Sequence, residues 1–245
     1  MVCCGSETVR RRLIEGGVSP ETTAVIRPGV DFARINQLRL PENRSALGLK
    51  RKDYVIVLPE PVTHMSGHED AATAAALLND GRGDIRVIIP GDSREARRIR
   101  RIAHRIPVPR TVVCPPDSMT LERLICVADT MVVAARGDVS TTAIAWAMAV
   151  GVAVIGGATY CVAELIANKV NGLLFKQTPG KPMTVAIARL LKDRETQRRL
   201  TEAARGQAYE VFGLRRCVEQ HMQLYENVLA GSAPAQGIAD SAHAA

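Results

Sequence analysis

Short runs of apolar, mostly β-branched residues recur along the chain and are separated by segments with helical spacing. Several of these runs are apolar throughout, which is typical of parallel strands that are covered on both faces. The predicted strands are Thr23–Arg27, Tyr54–Leu58, Ile85–Ile89, Thr111–Cys114, Thr130–Val133, Val152–Ile155 and, more weakly, Leu173–Phe175. Because strands alternate with helices, the sequence predicts an α/β fold with a doubly wound parallel sheet.

Apolar positions three and four residues apart predict the helices between these strands. After Pro182 the pattern is helical, with segments at Met183–Leu191, Glu195–Val211 and Leu214–Ala230. Residues 231–245 are small, polar and unpatterned, so we expect a disordered tail. We therefore expect three parts: a residual linker and connector segment at 1–50, one domain with C-terminal helices at 51–230, and the tail.

The composition excludes disorder as the main state, because 47% of the 245 residues are hydrophobic and 23% are charged. The net charge is +7, and much of it comes from Arg94–Arg110, which holds seven arginines and one acidic residue. Such a stripe can bind phosphate backbones or anionic lipid headgroups. Aromatic residues make up only 3% of the chain, which disfavours nucleic acid. We interpret the stripe as the solvated outer face of a helix, and peripheral membrane contact stays open.

Cysteine usage indicates a reducing compartment. The six cysteines form no C-x-x-C pair and share no histidine cluster, so a disulfide framework or a zinc site is not expected. The first residues lack the features of a signal peptide. The apolar run Ala143–Ala158 is too short to span a membrane. We therefore expect a cytoplasmic protein.

A series of short motifs follows one another in an order and spacing that resemble one family. They are Val25-Ile26-Arg27-Pro28-Gly29-Val30-Asp31, Ile88-Ile89-Pro90-Gly91-Asp92, Ala147–Ile155 and Asn171-Gly172-Leu173-Leu174. Together they resemble the C-terminal domain of the retaining glycosyltransferases of family 4, with the GT-B fold, also called glycosyl transferases group 1. The likeness covers residues 6–230. It implies two Rossmann-like domains, of which this chain supplies the C-terminal, donor-binding one without the N-terminal acceptor-binding one.

The resemblance implies a nucleotide-sugar as substrate, with no metal and no further cofactor. The family has one Glu beside the sugar at the start of its central helix and another, eight positions later, on the ribose. The matching residues here are Asp138 and Trp146. Asp138 keeps a carboxylate on a shorter arm, whereas an indole cannot accept a hydrogen bond. We interpret Trp146 as an anchor of the hydrophobic core.

The loop after the first strand of the domain departs further from the family. The Arg and Lys that neutralise the donor diphosphate correspond to Glu60 and Ser66, although Gly67 matches. A carboxylate near a diphosphate costs about 1–4 kcal/mol for each close pair of unit charges. His64 is the one cation candidate in this loop, and its alternative role is that of a solvent-facing loop residue.

The start of the central helix preserves the family's chemistry better. Free N–H groups there, with the hydroxyls of Ser140, Thr141 and Thr142, favour a bound phosphate. Ordinary helix capping by Asp138 or Ser140 uses the same geometry and is an equal alternative.

Two further sites follow from the resemblance. Cys114 and Pro115 fall in the loop that cups the nucleotide base in the family. Glu164 matches a family glutamate near the edge of the sugar, and capping of the next helix is its alternative. The two glycines that precede this glutamate in the family are replaced by Tyr160 and Cys161, while Gly156-Gly157 lie four residues early.

These expectations leave three functions open. The first is a donor-binding glycosyltransferase domain, whose activity the departures described above could impair. The second is a non-catalytic binding or assembly module that keeps the fold. The third and weakest is a sugar-nucleotide epimerase of similar fold. On the last helix, an apolar stripe is expected to pack on the same domain or on a second copy: Leu214, Val218, Met222, Tyr225 and Leu229.

Overall fold

A computed structural model shows a parallel sheet of six strands with helices on both faces, and a two-stranded parallel sheet at the N-terminus. The structure describes residues 1–59, 61–103, 111–113, 115–116, 118–137, 139, 141–177 and 181–231. The strands are β1 Val2–Cys4, β2 Thr23–Val25, β3 Tyr54–Val57, β4 Ile85–Ile88, β5 Val112–Val113, β6 Thr130–Val133, β7 Ala153–Gly157 and β8 Leu173–Phe175. The predicted fold class is confirmed, and the predicted strands of the large sheet differ from the observed ones only at their ends.

The helices of the described residues connect the strands and, after β8, form the C-terminal end of the domain. They are α1 Glu7–Glu15, α2 Phe32–Leu38, α3 Pro41–Ala46, α4 His68–Asn79, α5 Arg94–Ala103, α6 Leu121–Val127, α7 Thr141–Val150, α8 Tyr160–Ala163, α9 Lys181–Lys192, α10 Arg194–Val211 and α11 Leu214–Leu229. The predicted tail lies outside the described residues, except for Gly231.

The strand order of the large sheet is β5-β4-β3-β6-β7-β8, and every pair is parallel. From β3 the chain builds outward to β5 on one side and then returns to build from β6 to β8 on the other. The direction of winding therefore reverses between β3 and β6. In sheets of this kind, the crevice at the carboxyl ends of such a strand pair is where ligands bind.

Each face of the sheet is covered by its own hydrophobic cluster, because successive side chains of a strand point to opposite faces. Val55 and Val57 pack in the cluster that contains α7, whereas Tyr54 and Ile56 pack in the cluster that contains α4 and α9. Residues 143–150 of α7 are all buried, which makes it the central helix. Trp146 belongs to this core and is 9% exposed, as the core interpretation predicts.

One part of the N-terminal segment, at Gly29 and Val30, packs on the end of the domain where α10 meets α11. Val30 is fully buried, and its N–H donates to the Phe212 carbonyl at 2.7 Å, while Leu214 N–H donates to the Val30 carbonyl at 3.2 Å. Gly29 packs closely on Cys217 of α11, so that a Cβ at position 29 would lie 2.9 Å from the Cys217 Cβ. These contacts hold the connector against the junction of α10 and α11.

The apolar stripe on α11 is not covered by its own domain. Leu214, Val218, Met222, Tyr225 and Leu229 are all at least 44% exposed, and the buried residue of this helix is Leu224. The expectation that the same domain covers the stripe is therefore wrong, because α11 turns Leu224 rather than the stripe toward the core. Cover by a second copy stays a prediction.

Candidate functional site

A cavity of about 280 Å³ opens at the carboxyl ends of β3 and β6, where the winding of the sheet reverses. Its wall comes from the loop after β3, between residues 59 and 68, and from the loop after β6, between residues 133 and 139. The Arg136 N–H donates to the Met65 carbonyl at 3.0 Å and ties the two loops together. The fold thus brings two segments that are about 70 residues apart into one site.

Gly67 allows these loops to approach each other. It sits at the N-cap of α4 with φ of 70°, in the left-handed region that favours glycine. A Cβ at this position would overlap the Ala134 carbonyl oxygen and lie 2.7 Å from the Ala134 Cβ. Gly67 thus lies where the two loops meet beside the cavity, and its part in donor binding stays a prediction.

Ser66, which the resemblance predicts to stand where the family has a lysine, is engaged within its own loop. Its hydroxyl accepts from Thr63 N–H at 3.0 Å and lies 2.6 Å from the Thr63 carbonyl oxygen. The His68 Nδ1 atom lies 2.7 Å from the same hydroxyl. Burial lowers the pKa of His68 to about 4, so this imidazole is neutral at pH 7.

The wall of the cavity carries no formal charge among the residues that the structure describes. Ser66, Thr63 and neutral His68 offer hydrogen bonds, and the remaining wall is made of apolar side chains and backbone. His64 is exposed and does not belong to the wall. Phosphate binding by His64 stays a prediction, while its exposure agrees with the alternative of a solvent-facing loop residue.

A second cavity of about 330 Å³ lies next to the first, between α4 and α9, and Ala134 contributes to both walls. Arg136 and Asp70 face this second cavity, and Arg136 Nη2 lies 3.0 Å from Asp70 Oδ2. Sequence reasoning passed over Arg136, although it stands two positions before Asp138. The signal that could have identified it is a cation in the loop that follows β6.

Several of the predicted donor residues cannot be placed, because Cys114, Asp138 and Ser140 lie outside the described residues, as does Glu60. Pro115 is buried just beyond β5. On α7, the Thr141 hydroxyl lies 3.5 Å from the Gly5 carbonyl oxygen, and Thr142 is exposed. The phosphate contacts predicted for these residues stay predictions, and the N-terminal segment is a neighbour that sequence reasoning missed.

Glu164 has a role that the sequence did not predict, because its carboxylate caps the N-terminus of α1. It accepts from Glu7 N–H at 2.8 Å, from Thr8 N–H at 3.1 Å and from the Thr8 hydroxyl at 2.9 Å. Arg27 Nη1 lies 2.6 Å from the same carboxylate, and both side chains are 14% exposed. Burial by itself would raise the pKa of Glu164, but these partners hold that pKa below its usual value.

The pair Gly156-Gly157 ends β7 and leaves space that other side chains fill. A Cβ at Gly157 would overlap the Gln177 side-chain amide, which donates to the Ala135 carbonyl oxygen. Gln177 therefore joins the end of β8 to the loop that forms the wall of the first cavity. Sequence reasoning missed the contact between Gln177 and Ala135, because Gln177 follows β8 and Ala135 follows β6, and these strands are not consecutive in the chain.

The arginine stripe of α5 is partly neutralised by acidic neighbours. Arg97 pairs with Asp92 at 2.7 Å, and Arg98 pairs with both Glu95 and Glu69. Arg100 was expected to face water, but its side chain is only 16% exposed, and its guanidinium donates to the Ile89 carbonyl at 3.1 Å. That expectation is wrong for Arg100, because its long side chain folds back over the end of β4. Arg105 lies outside the described residues.

The described residues contain neither a metal-binding cluster nor a membrane-spanning helix. No group of three or more His, Cys, Asp or Glu side chains among them is placed to hold a metal ion. Within the same residues, no helix combines the length and the apolar character needed to cross a membrane. None of Cys3, Cys4, Cys126, Cys161 and Cys217 forms a disulfide bond.

Comparison with known proteins decides the family. The model of the family described as glycosyl transferases group 1 matches residues 41–207. This chain belongs to that family. The matched segment of this glycosyl transferase group 1 domain runs from α3 into α10 and includes both loops that form the first cavity.

The relatives are longer than this glycosyl transferase group 1 domain. Over 219 residues it is 25% identical to the N-acetyl-alpha-D-glucosaminyl L-malate synthase of Bacillus anthracis, which matches 85% of the chain and 57% of that protein. A glycosyltransferase of Rickettsia africae ESF-5 has the same fold, with a TM-score of 0.82, 19% identity, and coverage of 94% of this chain and 64% of that one. Anabaena HepE, solved with UDP and glucose, gives a TM-score of 0.79, 19% identity, and coverage of 93% and 63%. The chain thus spans less than two thirds of these proteins.

Proposed function

We propose that this domain binds a nucleotide-sugar donor in the cavity between the ends of β3 and β6 and serves glycosyl transfer to an acceptor. The observation that carries this proposal is the position of the 280 Å³ cavity at the reversal of winding, beside the close approach of Gly67 to Ala134. Anabaena HepE, which shares the fold, was solved with UDP and glucose, and this supports a nucleoside diphosphate as the ligand class.

The proposed roles follow the family's arrangement. The loop at Cys114 and Pro115 would hold the base, and the start of α7 with Ser140, Thr141 and Thr142 would hold the phosphates. Asp138 would face the sugar. In the transfer, the bond from the anomeric carbon to the diphosphate oxygen breaks, the acceptor oxygen bonds to that carbon, and the proton of the acceptor passes to the departing diphosphate. Fixed hydrogen-bond donors at the diphosphate would stabilise the departing group.

Glu164 would reach the sugar only by exchanging some of its present partners. Its carboxylate holds the start of α1 and Arg27. The N-terminal segment therefore occupies the carboxylate oxygens that a sugar would contact. A separate N-terminal domain or a second copy of the chain would supply the acceptor side of the site.

A ligand screen tests the proposal. Thermal unfolding is measured with UDP, GDP and ADP and with their sugars, and a ligand at 100 times its Kd adds about 2.7 kcal/mol of stability. Ala135→Leu, which narrows the cavity, should abolish the shift, whereas Ala203→Leu on the exposed face of α10 should keep it. Absence of any shift for the wild-type chain at millimolar ligand would overturn the proposal.

A non-catalytic binding or assembly module is the second candidate, and one observation favours it. The described wall of the cavity has no cation to neutralise a diphosphate. On this alternative, the exposed stripe of α11 is the working surface, and the chain associates without binding nucleotides. Sedimentation of the wild type and of a Met222→Glu variant tests this candidate. It is favoured if the wild type associates, the variant does not, and the ligand screen is negative.

A further inference from the structure

Among the described residues, the wall of the cavity proposed for the donor lacks the positive charge that a diphosphate needs. The family's two loop cations are replaced by Glu60 and Ser66, and the Ser66 hydroxyl is engaged by Thr63 and His68. His68 is neutral at pH 7 because burial lowers its pKa. A diphosphate in a partly closed site is held by charge-assisted hydrogen bonds. If this domain binds one, a cation must come from outside the wall.

Arg136 is placed to supply that cation. Its neighbours Ala135 and Gly137 both line the first cavity, and its own N–H is fixed to the Met65 carbonyl. The backbone at Arg136 is therefore part of the site, while its side chain turns into the adjoining 330 Å³ cavity. Since Ala134 belongs to both walls, the cavity that receives the Arg136 side chain adjoins the first one.

Arg136 can exchange its present partner, Asp70, with little loss of folding stability. Arg136 and Asp70 are 56% and 57% exposed, and ion pairs in that setting contribute little to stability. Asp70 lies in the first turn of α4, a helix of 12 residues, where the N-terminal dipole stabilises a carboxylate without Arg136. The pair therefore holds the guanidinium near the site without locking it there.

We propose that Arg136 binds the diphosphate of the donor, exchanging the Asp70 carboxylate for phosphate oxygens, and so replaces the two cations absent from the loop after β3. This inference rests on the proposed function and adds the residue that carries the charge recognition. A guanidinium suits this task because its planar fork binds two phosphate oxygens at once. Asp70 then acts as a competitor that keeps the side chain oriented while the site is empty.

Isothermal titration of the full chain tests this exchange, with UDP, GDP and ADP each compared with its nucleoside. The ratio of the nucleoside Kd to the nucleoside diphosphate Kd isolates the contribution of the phosphates. Arg136→Ala should lower this ratio about 10- to 100-fold, the effect of losing charge-assisted hydrogen bonds. Arg136→Lys should lower it less, and nucleoside binding should stay unchanged. Asp70→Asn should raise it, because the competing carboxylate is removed.

Arg97→Ala is the matched control, since the Arg97 side chain on α5 is as exposed as that of Arg136 and also pairs with an exposed aspartate, Asp92. It should leave the ratio unchanged. A ratio in Arg136→Ala equal to that in Arg97→Ala would overturn the inference and leave the proposed function intact, as would a lower ratio in Asp70→Asn. Failure of the wild-type chain to bind any of the three nucleoside diphosphates would overturn the proposed function and this inference together.

Discussion

Gly67 and Ala134 touch so closely that no other residue fits at position 67 without a shift of the backbone. A Cβ there would overlap the Ala134 carbonyl oxygen, and φ at Gly67 is 70°. The contact joins the loop after β3 to the loop after β6. It therefore couples the stability of the domain to the shape of the candidate donor site.

Gly67→Ala should destabilise the domain more than Gly81→Ala. Both glycines have positive φ, so both variants carry backbone strain of about 1–3 kcal/mol. A Cβ at Gly81 meets nothing within 4 Å, whereas a Cβ at Gly67 meets Ala134. Chemical denaturation of the two variants measures the difference. Equal losses of unfolding free energy would show that the Ala134 contact can relax at no penalty.

Glu164→Gln should weaken the attachment of the N-terminal segment. The carboxylate accepts hydrogen bonds from Glu7 and Thr8 and pairs with Arg27. Hydrogen bonds to charged groups contribute about 1.5–3 kcal/mol, and Gln keeps only part of them. Limited proteolysis between α1 and α2, together with denaturation, measures the loss. Glu15→Gln, at an exposed pair, is the control and should change neither readout.

The stabilisation by Glu164 should also depend on pH. Its folded pKa lies below the usual value of 4.5, so the ionised form stabilises the fold. This contribution is complete above pH 4.5 and is lost as the pH falls through the lowered folded pKa. The difference in unfolding free energy between wild type and Glu164→Gln should therefore shrink on acidification. A difference that stays constant from pH 6 to pH 3 would contradict the assigned ion pair.

His68 should make the domain less stable between pH 6.5 and pH 4. Burial lowers its folded pKa to about 4, so the unfolded chain binds a proton first as the pH falls from 6.5. The linked loss reaches about 3 kcal/mol, at 1.36 kcal/mol for each unit of pKa difference. His68→Phe should flatten this part of the profile, whereas His64→Phe, at an exposed loop position, should leave its slope unchanged.

Trp146 should act as a core residue and not as a ligand contact. It is the only tryptophan, lies in α7 and is 9% exposed within the core. Trp146→Ala should cost about 3–5 kcal/mol, and Trp146→Glu at least as much, because it buries a carboxylate without a partner. Circular dichroism during denaturation measures both, with exposed Tyr160→Ala as the control. A Trp146→Glu variant that is stable and binds nucleotide more tightly would contradict the core role.

Much of the fold could be predicted from the chain alone, because local patterns determined it. Tyr54–Val57 and Thr130–Val133 are apolar on both faces, which specifies buried parallel strands. The core role of Trp146 followed from its chemistry in the same way. The contacts of Glu164 and Arg100 could not be predicted from local patterns. Glu164 is positioned by Glu7 and Thr8, which are far away in the chain, and Arg100 folds back onto the Ile89 carbonyl.

The sequence by itself determined the α/β alternation, the family and the absence of Arg and Lys from residues 58–67. These are properties of residue types and their spacing. Only the tertiary structure decided which groups meet: Gly67 against Ala134, Glu164 on α1, and Arg136 beside Asp70. The physical reason is that winding in opposite directions from β3 brings the ends of non-consecutive strands together, and no local pattern encodes that contact.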